Sequence, residues 1–271
     1  MTAIATIVQW CDLIGTTLVA GGMFYGALVA VPSRDGRRLL RAAAVLLGAI
    51  FLLELGVTSL RLADFSTAHG AALVAEVVQT HWGIWWLVRC VGLGALLACR
   101  LGSPHGALLA AAWLLARSVQ GHAGAHGALV TAIDWIHLLA AAAWLGALPQ
   151  LLLSLDAASA AIALRFRRVA TAAVAALVSA GAYGAFVHVP DLAALTGSAY
   201  GRVLLLKIAL AAVLLGLGAG NHFLHVPMLR RHATSVGQLK RTVRLELLVG
   251  AIVLLLSALL GILPMPHPPP G

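Results

Sequence analysis

The residues best suited to chemistry are histidines in a short glycine-rich loop. His122 and His126 are four residues apart within Gly121–Gly127. In a helical turn this spacing puts both imidazoles on one face, and the neighbouring glycines allow a turn that aims both at one ion. Neutral imidazole is the commonest metal ligand in proteins and suits copper and zinc. The loop therefore predicts a metal-binding site.

The apolar segment after this loop carries a second pair of ionisable residues. Asp134 and His137 are three residues apart, so on a helix the carboxylate lies one turn from the imidazole. A carboxylate that accepts the ring N–H fixes the tautomer and raises the basicity of the ligand, which is usual beside a metal-bound histidine. Trp144, on the same face further along, is expected to close this site against water.

These residues have to be positioned by membrane helices. Hydrophobic residues make up 61% of the 271 residues, charged residues make up 10%, and the mean hydropathy is +0.98. Long apolar runs predict an all-α polytopic membrane protein, a bundle of about eight transmembrane helices. The predicted spans are 5–30, 39–61, 80–99, 105–121, 128–153, 167–188, 202–226 and 243–263. The predicted regions are a four-helix membrane region at 1–121, a second at 122–263, and a Pro-rich tail at 264–271.

The basic residues predict the orientation, because Lys and Arg concentrate in loops that stay cytoplasmic. They fill alternate loops, including Arg34–Arg41, Arg165–Arg168 and Lys240–Arg244, whereas the opposite loops hold few. Both termini and the histidine-rich loop are therefore expected to face outward. The net charge of +9 is a topology signal and does not predict a nucleic-acid surface. The first span has no basic start and is too long for a cleaved signal, so we expect it to be retained.

Further residues are weaker candidate ligands. On the outward side they are His81, His188, Met265 and His267. The thioether of Met265 beside the imidazole of His267 suits Cu(I). On the inward side, His222 and His225 are candidate ligands for releasing the ion.

Simpler explanations of these residues stay open. Histidines at helix ends are also explained as solvated interfacial side chains. Asp134 and His137 are also explained by a structural hydrogen bond, because an unpaired Asp at membrane depth costs about 2.5–3.5 kcal/mol. Asp12 and Glu54 are two further intramembrane acids, with proton relay as one role. Their candidate basic partners are Arg61, Arg89 and Lys207.

The order of several motifs resembles a known family. The motifs are Asp134-Trp135-Ile136-His137, Trp144-Leu145-Gly146, Arg165-Phe166-Arg167-Arg168, Tyr200-Gly201-Arg202 with Lys207, Gly220-Asn221-His222, and Arg244 with Glu246. Together they resemble the copper resistance D (CopD) family of bacterial inner-membrane proteins over about residues 120–263. The resemblance implies a multi-pass inner-membrane protein that handles periplasmic copper, with a separate periplasmic copper carrier as partner. Many members have Arg where this chain has His222.

The residues and the resemblance together predict a copper-binding membrane protein, specifically a copper permease. Copper, as Cu(I) rather than Cu(II), is expected to be captured at the outer loop, to pass to His137 beside Asp134, and to leave near His222 and His225. No enzyme activity is predicted, and the chain has no GxxxxGK[ST] motif for an ATP-driven pump.

Two alternatives to a permease stay open. The first is a haem-binding membrane redox protein, because histidines that face one another across helices ligate iron. The second is a copper sensor or assembly factor that binds the metal without transporting it.

Overall fold

The architecture is a bundle of long helices. The computed structural model describes residues 2–155, 160–188, 192–229 and 235–263, and no strand occurs within them. The helices are α1 (Thr2–Leu28), α2 (Arg34–Leu62), α3 (Ala71–Gln79), α4 (His81–Ala98), α5 (Pro104–Gln120), α6 (Ala128–Ala141), α7 (Leu148–Ser154), α8 (Ala160–His188), α9 (Leu192–Gly197), α10 (Ala199–Gly220), α11 (Val226–Met228) and α12 (Ser235–Leu260). The structure confirms the all-α prediction.

Within the described residues, six helical segments are long and apolar enough to cross a membrane. They are Ala3–Leu28, Arg34–Leu62, His81–Ala98, Ala128–Ser154, Ala199–Met228 and Val236–Leu260. A hydrocarbon core about 30 Å thick needs about 20 predominantly apolar residues in a helix. The chain is therefore a multi-pass membrane protein. α5 and α8 also coincide with predicted spans, and the total of eight crossings stays a prediction.

Two of the crossing segments contain π-helical stretches, which we call π1 (Ala142–Gly146) and π2 (Asn221–His225). Each is followed within three residues by a proline, Pro149 after π1 and Pro227 after π2. Proline has no N–H and its ring clashes with the carbonyl four residues earlier, which lies inside the π-helical stretch in both cases. The prolines therefore give a physical reason for the wider turns.

Contacts between helix ends define two ends of the bundle. At one end, Gln150 Nε2 of α7 donates a hydrogen bond to the carbonyl of Gly36 in α2 over 3.0 Å. We call this the basic end, because it carries the Arg-rich first turns of α2, which begin at Arg34. At the other end, His81 Nε2 lies 3.2 Å from the carbonyl oxygen of Val119, close to the histidine-rich loop. We call this the histidine end.

Apolar side chains pack into two clusters, one in each half of the chain. The first joins α1, α2, α4 and α5 and includes Leu47 and Phe51. The second joins π1 and α7 to α8, α10 and α12 and includes Trp144. Ala142 of π1 belongs to the first cluster and Tyr25 of α1 belongs to the second. The two halves are therefore held together along α1 and π1.

Glycines let α1 and π1 meet backbone to backbone. A Cβ at Gly146 would lie 2.0 Å from the carbonyl oxygen of Thr17, and a Cβ at Gly21 would lie 2.3 Å from the carbonyl carbon of Gly146. Neither position has room for a side chain, and small residues are what allow helices in membranes to approach this closely.

Tryptophan indoles connect the helices of the first half. Trp86 Nε1 donates to the carbonyl of Phe51 over 3.0 Å, and Trp113 Nε1 donates to the carbonyl of Arg89 over 2.9 Å. Buried indoles normally find such a partner for the N–H. These two bonds hold α4 between α2 and α5, which fixes the position of the charged residues described next.

Candidate functional site

The histidine-rich loop forms a short 3-10 helix at the histidine end. This helix covers His122–His126, and α6 begins after Gly127, whose φ of 93° favours glycine. The side chain of His126 is exposed. His81, at the start of α4, is brought close to the loop by its contact with the carbonyl of Val119 at the end of α5.

Four predicted ligands lie outside the described part of the structure. They are the side chains of His122 and His188 and the whole of Met265 and His267. Among the residues that are described, no group of three or more His, Cys, Asp or Glu side chains is arranged to hold a metal ion. The histidine end thus offers His81 and His126 on separate elements, and their joint role stays a prediction.

His137 lies on α6 and faces α8. A Cβ at Gly181 of α8 would lie 3.5 Å from its Cε1, and the ring hydrogen-bonds to the backbone of Leu177, one turn earlier on α8. A ring that donates one N–H to a carbonyl keeps a lone pair on its other nitrogen. Backbone carbonyls, like carboxylates, commonly orient metal-bound histidines in this way.

Asp134 does not make the expected hydrogen bond to His137. No hydrogen bond or ion pair joins these two side chains, both of which are described. Asp134 instead interacts electrostatically with Arg117 of α5 and Lys207 of α10. Lys207 also interacts electrostatically with His137. Residues three apart on an α-helix are rotated by roughly 60°. This rotation is enough to direct Asp134 and His137 towards different helices.

A buried ion cluster joins α1, α4 and α5. Asp12 accepts hydrogen bonds from Nη2 of Arg89 and, over 3.0 Å, from Nε of Arg117. Thr16 Oγ1 donates to Asp12 over 3.1 Å, and Arg89 Nη1 donates to Gln120 Oε1 over 2.7 Å. Asp12 and Arg89 are 0% and 1% exposed. The structure thus selects Arg89 among the predicted partners of Asp12 and adds Arg117, which was not among them.

Glu54 of α2 lies at the edge of this ion cluster. Its Oε2 is 3.6 Å from Nη1 of Arg89 and is buried without a hydrogen bond in the part of the chain that the structure describes. The guanidinium of Arg89 also stacks on Phe51, with Cζ 4.5 Å from the ring centroid, as in a cation–π contact. When Glu54 and Asp12 are ionised, the two arginines neutralise them, which lowers the cost of burying charge in a bilayer.

Ionisable residues from both halves lie at a common depth. Counted from the histidine-end terminus of each helix at about 1.5 Å per residue, they lie about 9–15 Å below it. They are Asp12, Glu54, Arg89, Asp134, His137 and Lys207. We call this set the ionisable layer. Ionisable residues kept inside a membrane mark functional sites by default, so the layer is the candidate site at the histidine end.

His222 and His225 lie on π2, and the ring of each contacts a different partner. His225 Nδ1 is 3.0 Å from Asn221 Oδ1, and His222 Nδ1 is 3.3 Å from Thr171 Oγ1 on α8. Asn221 Oδ1 also accepts a hydrogen bond from Thr242 of α12 over 2.5 Å. Asn221 therefore connects π2 to α12.

Glu246 of α12 is a functional candidate that the sequence did not predict as a site residue. It is 2% exposed, accepts a hydrogen bond from Asn221 Nδ2 over 2.5 Å, and hydrogen-bonds with Trp144. The sequence predicts that Trp144 closes the site at His137 against water. Its indole N–H instead hydrogen-bonds with Glu246. The available sequence signal was an acid inside an apolar span.

A cavity of about 330 Å³ lies beside Glu246. Its polar lining includes Asn221, His222 and Glu246, and its apolar lining includes Trp144 and Phe166. Side chains of π1, α8, α10, π2 and α12 surround it. This cavity is the second candidate site.

Comparison with known proteins finds relatives named for copper. The family copper resistance protein D, CopD, matches residues 160–260. The chain is 30% identical over 217 residues to Copper resistance protein D of Pseudomonas syringae pv. tomato, with 69% of this chain and 70% of that protein covered. It is 28% identical over 258 residues to Copper transport protein CutJ of Bacillus subtilis (strain 168), with 86% of this chain and 47% of that protein covered. No solved structure matches the chain significantly.

Proposed function

Because the chain belongs to the copper resistance protein D (CopD) family, we propose that it is a copper-binding protein of the bacterial inner membrane that acts as a copper permease. Copper is its substrate and crosses as Cu(I). The histidine end faces the periplasm, where a separate copper carrier delivers the ion, and the basic end faces the cytoplasm. One relative, CutJ, is named a copper transport protein, which supports transport over binding alone.

Capture begins at the exposed histidines of the histidine end. His126 and His81 lie on neighbouring elements there, and imidazole suits copper. The further ligands that we propose at this end are His122, with weaker contributions from His188, Met265 and His267.

The observation that carries the proposal is the position of His137 in the ionisable layer. Its ring is oriented by the carbonyl of Leu177 and keeps a lone pair for a metal ion. Asp134, in the same layer, supplies a negative charge that favours a cation. Arg117 and Lys207 compensate this charge when no copper is bound.

The first test is copper binding by His137→Ala. We expect this variant to lose high-affinity Cu(I) binding, because the layer has no other imidazole among the described residues. Asp134→Asn should weaken binding by about tenfold, the lower limit for groups that support a metal ligand. Both are measured by Cu(I) competition titration, with the melting temperature taken on the same samples.

His105→Ala is the matched control, because His105 is an exposed histidine near the basic end. It should bind copper as the wild type does. A stable His137→Ala protein with wild-type affinity would remove His137 from the path and leave capture to the loop.

Transport is tested by copper uptake into sealed proteoliposomes, where the wild type should accumulate copper and His137→Ala should not. A protein that binds copper without uptake would be a sensor or assembly factor. A reduced-minus-oxidised spectrum with strong Soret and alpha bands would instead identify a haem protein, since a Cu(I) site is colourless.

A further inference from the structure

The two π-helical stretches converge on one carboxylate. Trp144 in π1 and Asn221 in π2 both hydrogen-bond Glu246 of α12. π-helical turns are rare and occur frequently at functional sites. Two such turns, from different parts of the chain, thus contribute polar groups to the same buried side chain.

Glu246 has no basic partner. In the part of the chain that the structure describes, no Lys or Arg forms an ion pair with it, whereas Asp12 is paired with Arg89 and Arg117. The hydrogen bonds from Asn221 and Trp144 leave a buried negative charge without a counterion, which is costly within a membrane. A cation in the adjacent cavity would remove that cost.

The cavity has the space and the donors for such a cation. At about 330 Å³ it is much larger than the roughly 30 Å³ that a water molecule occupies in the liquid. Besides the Glu246 carboxylate, its lining offers the imidazole of His222, which Thr171 Oγ1 holds at Nδ1 over 3.3 Å. Imidazole suits copper, and a single carboxylate balances the charge of a monovalent ion.

The remaining charged group of the lining is Arg167 of α8. Its Nη1 donates to the carbonyl oxygen of His222 over 3.4 Å, and in the described part of the chain it forms no ion pair with Glu246. The guanidinium is therefore held by the backbone beside His222 and is not paired with the carboxylate.

We propose that Glu246 and His222 form a second copper site in this cavity, which Cu(I) occupies after the ionisable layer and before release at the basic end. The site rests on the proposed function in that copper is the occupant. It assigns to Glu246 the role of the anionic ligand, and to Trp144 and Asn221 the role of positioning that carboxylate.

The experiment is Cu(I) competition titration and proteoliposome uptake on Glu246→Gln. Gln removes the charge and keeps one oxygen that can accept from Asn221 Nδ2, while an amide NH2 replaces the other acceptor oxygen of Glu246. Binding at His137 and at the histidine end should be unchanged. The protein should bind one Cu(I) ion fewer than the wild type, and uptake should fall at least about tenfold, the smallest loss typical of groups around a bound metal. Glu76→Gln, at an exposed glutamate of α3, is the matched control and should change neither.

His222→Ala tests the same site while leaving both hydrogen bonds of Glu246 in place. It is the variant to use if Glu246→Gln lowers the melting temperature. It too should bind one Cu(I) ion fewer than the wild type. An unchanged copper stoichiometry in both variants overturns the proposal, even if uptake falls. Absence of uptake in the wild type would count against the permease function, and the titration would still test the cavity.

Discussion

Asp12→Asn is expected to lower the free energy of unfolding by about 3–5 kcal/mol, the cost of removing one partner from a buried ion pair. The Asp12 carboxylate contacts two guanidiniums, those of Arg89 and Arg117. After the substitution, Glu54, at 3.6 Å, is the one acid left within ion-pair distance of Arg89 among the described residues. Asparagine has nearly the same shape, so the change isolates the charge. Reversible unfolding in mixed detergent micelles provides the measurement.

The matched control is Asp35→Asn. Asp35 pairs with Arg38 over 3.3 Å at the basic end, with side chains 70% and 64% exposed. Exposed pairs contribute about 0–1 kcal/mol, so this control should be nearly neutral. The double variant Asp12→Asn with Arg89→Gln should lose less unfolding free energy than the two single variants lose together. The difference should be about 0.5–3 kcal/mol, because the two side chains are in contact. An Asp12→Asn protein within about 1 kcal/mol of the wild type would refute a tightly paired ion cluster.

Two further predictions concern the fold. In a background without the native cysteines, Ala125→Cys should react with impermeant thiol reagents on intact cells and Arg38→Cys should not. Both positions are exposed and they lie at opposite ends of the bundle. The reverse labelling pattern would place the histidine end in the cytoplasm. Gly146→Ala should lower the free energy of unfolding by about 1–3 kcal/mol, because the new Cβ would lie 2.0 Å from the carbonyl oxygen of Thr17. Gly216→Ala, where a Cβ meets nothing within 4 Å, should be neutral, and equal melting temperatures for the two would contradict close packing of α1 on π1.

Hydropathy was sufficient to predict the long helices, whereas the short helices α3 and α9 were not predicted. Each predicted span coincides with a helix, as 128–153 does with Ala128–Ser154, because a long apolar segment in lipid must satisfy its backbone hydrogen bonds internally. The π-helical stretches were not predicted, although Pro149 and Pro227 carried the signal. An apolar segment has the same hydropathy in either geometry, so only the proline chemistry distinguishes them.

The sequence indicates part of the candidate site and few of its contacts. His137 and Asp134 were singled out by their spacing inside an apolar segment, and their role in binding stays a prediction; Glu246 was not assigned a role. Its hydrogen-bond partners Asn221 and Trp144 are 25 and 102 residues away in the chain, so their convergence depends on how π1 and π2 pack against α12. No spacing rule within one helix contains that information.

The ion pairs explain why helical spacing misled the prediction for Asp134. Within the described residues, the pair that follows i,i+3 spacing is Asp35 with Arg38, and it is exposed. The pairs of Arg89 with Asp12 and Glu54 instead connect different helices, and Arg89 and Asp12 are buried. On a water-exposed face, charged residues three or four positions apart on one helix are neighbours. Inside a bundle, side chains of one helix pack into the grooves of its neighbours, whose axes lie about 8–10 Å away. A half-buried acid such as Asp134 therefore meets partners on other helices.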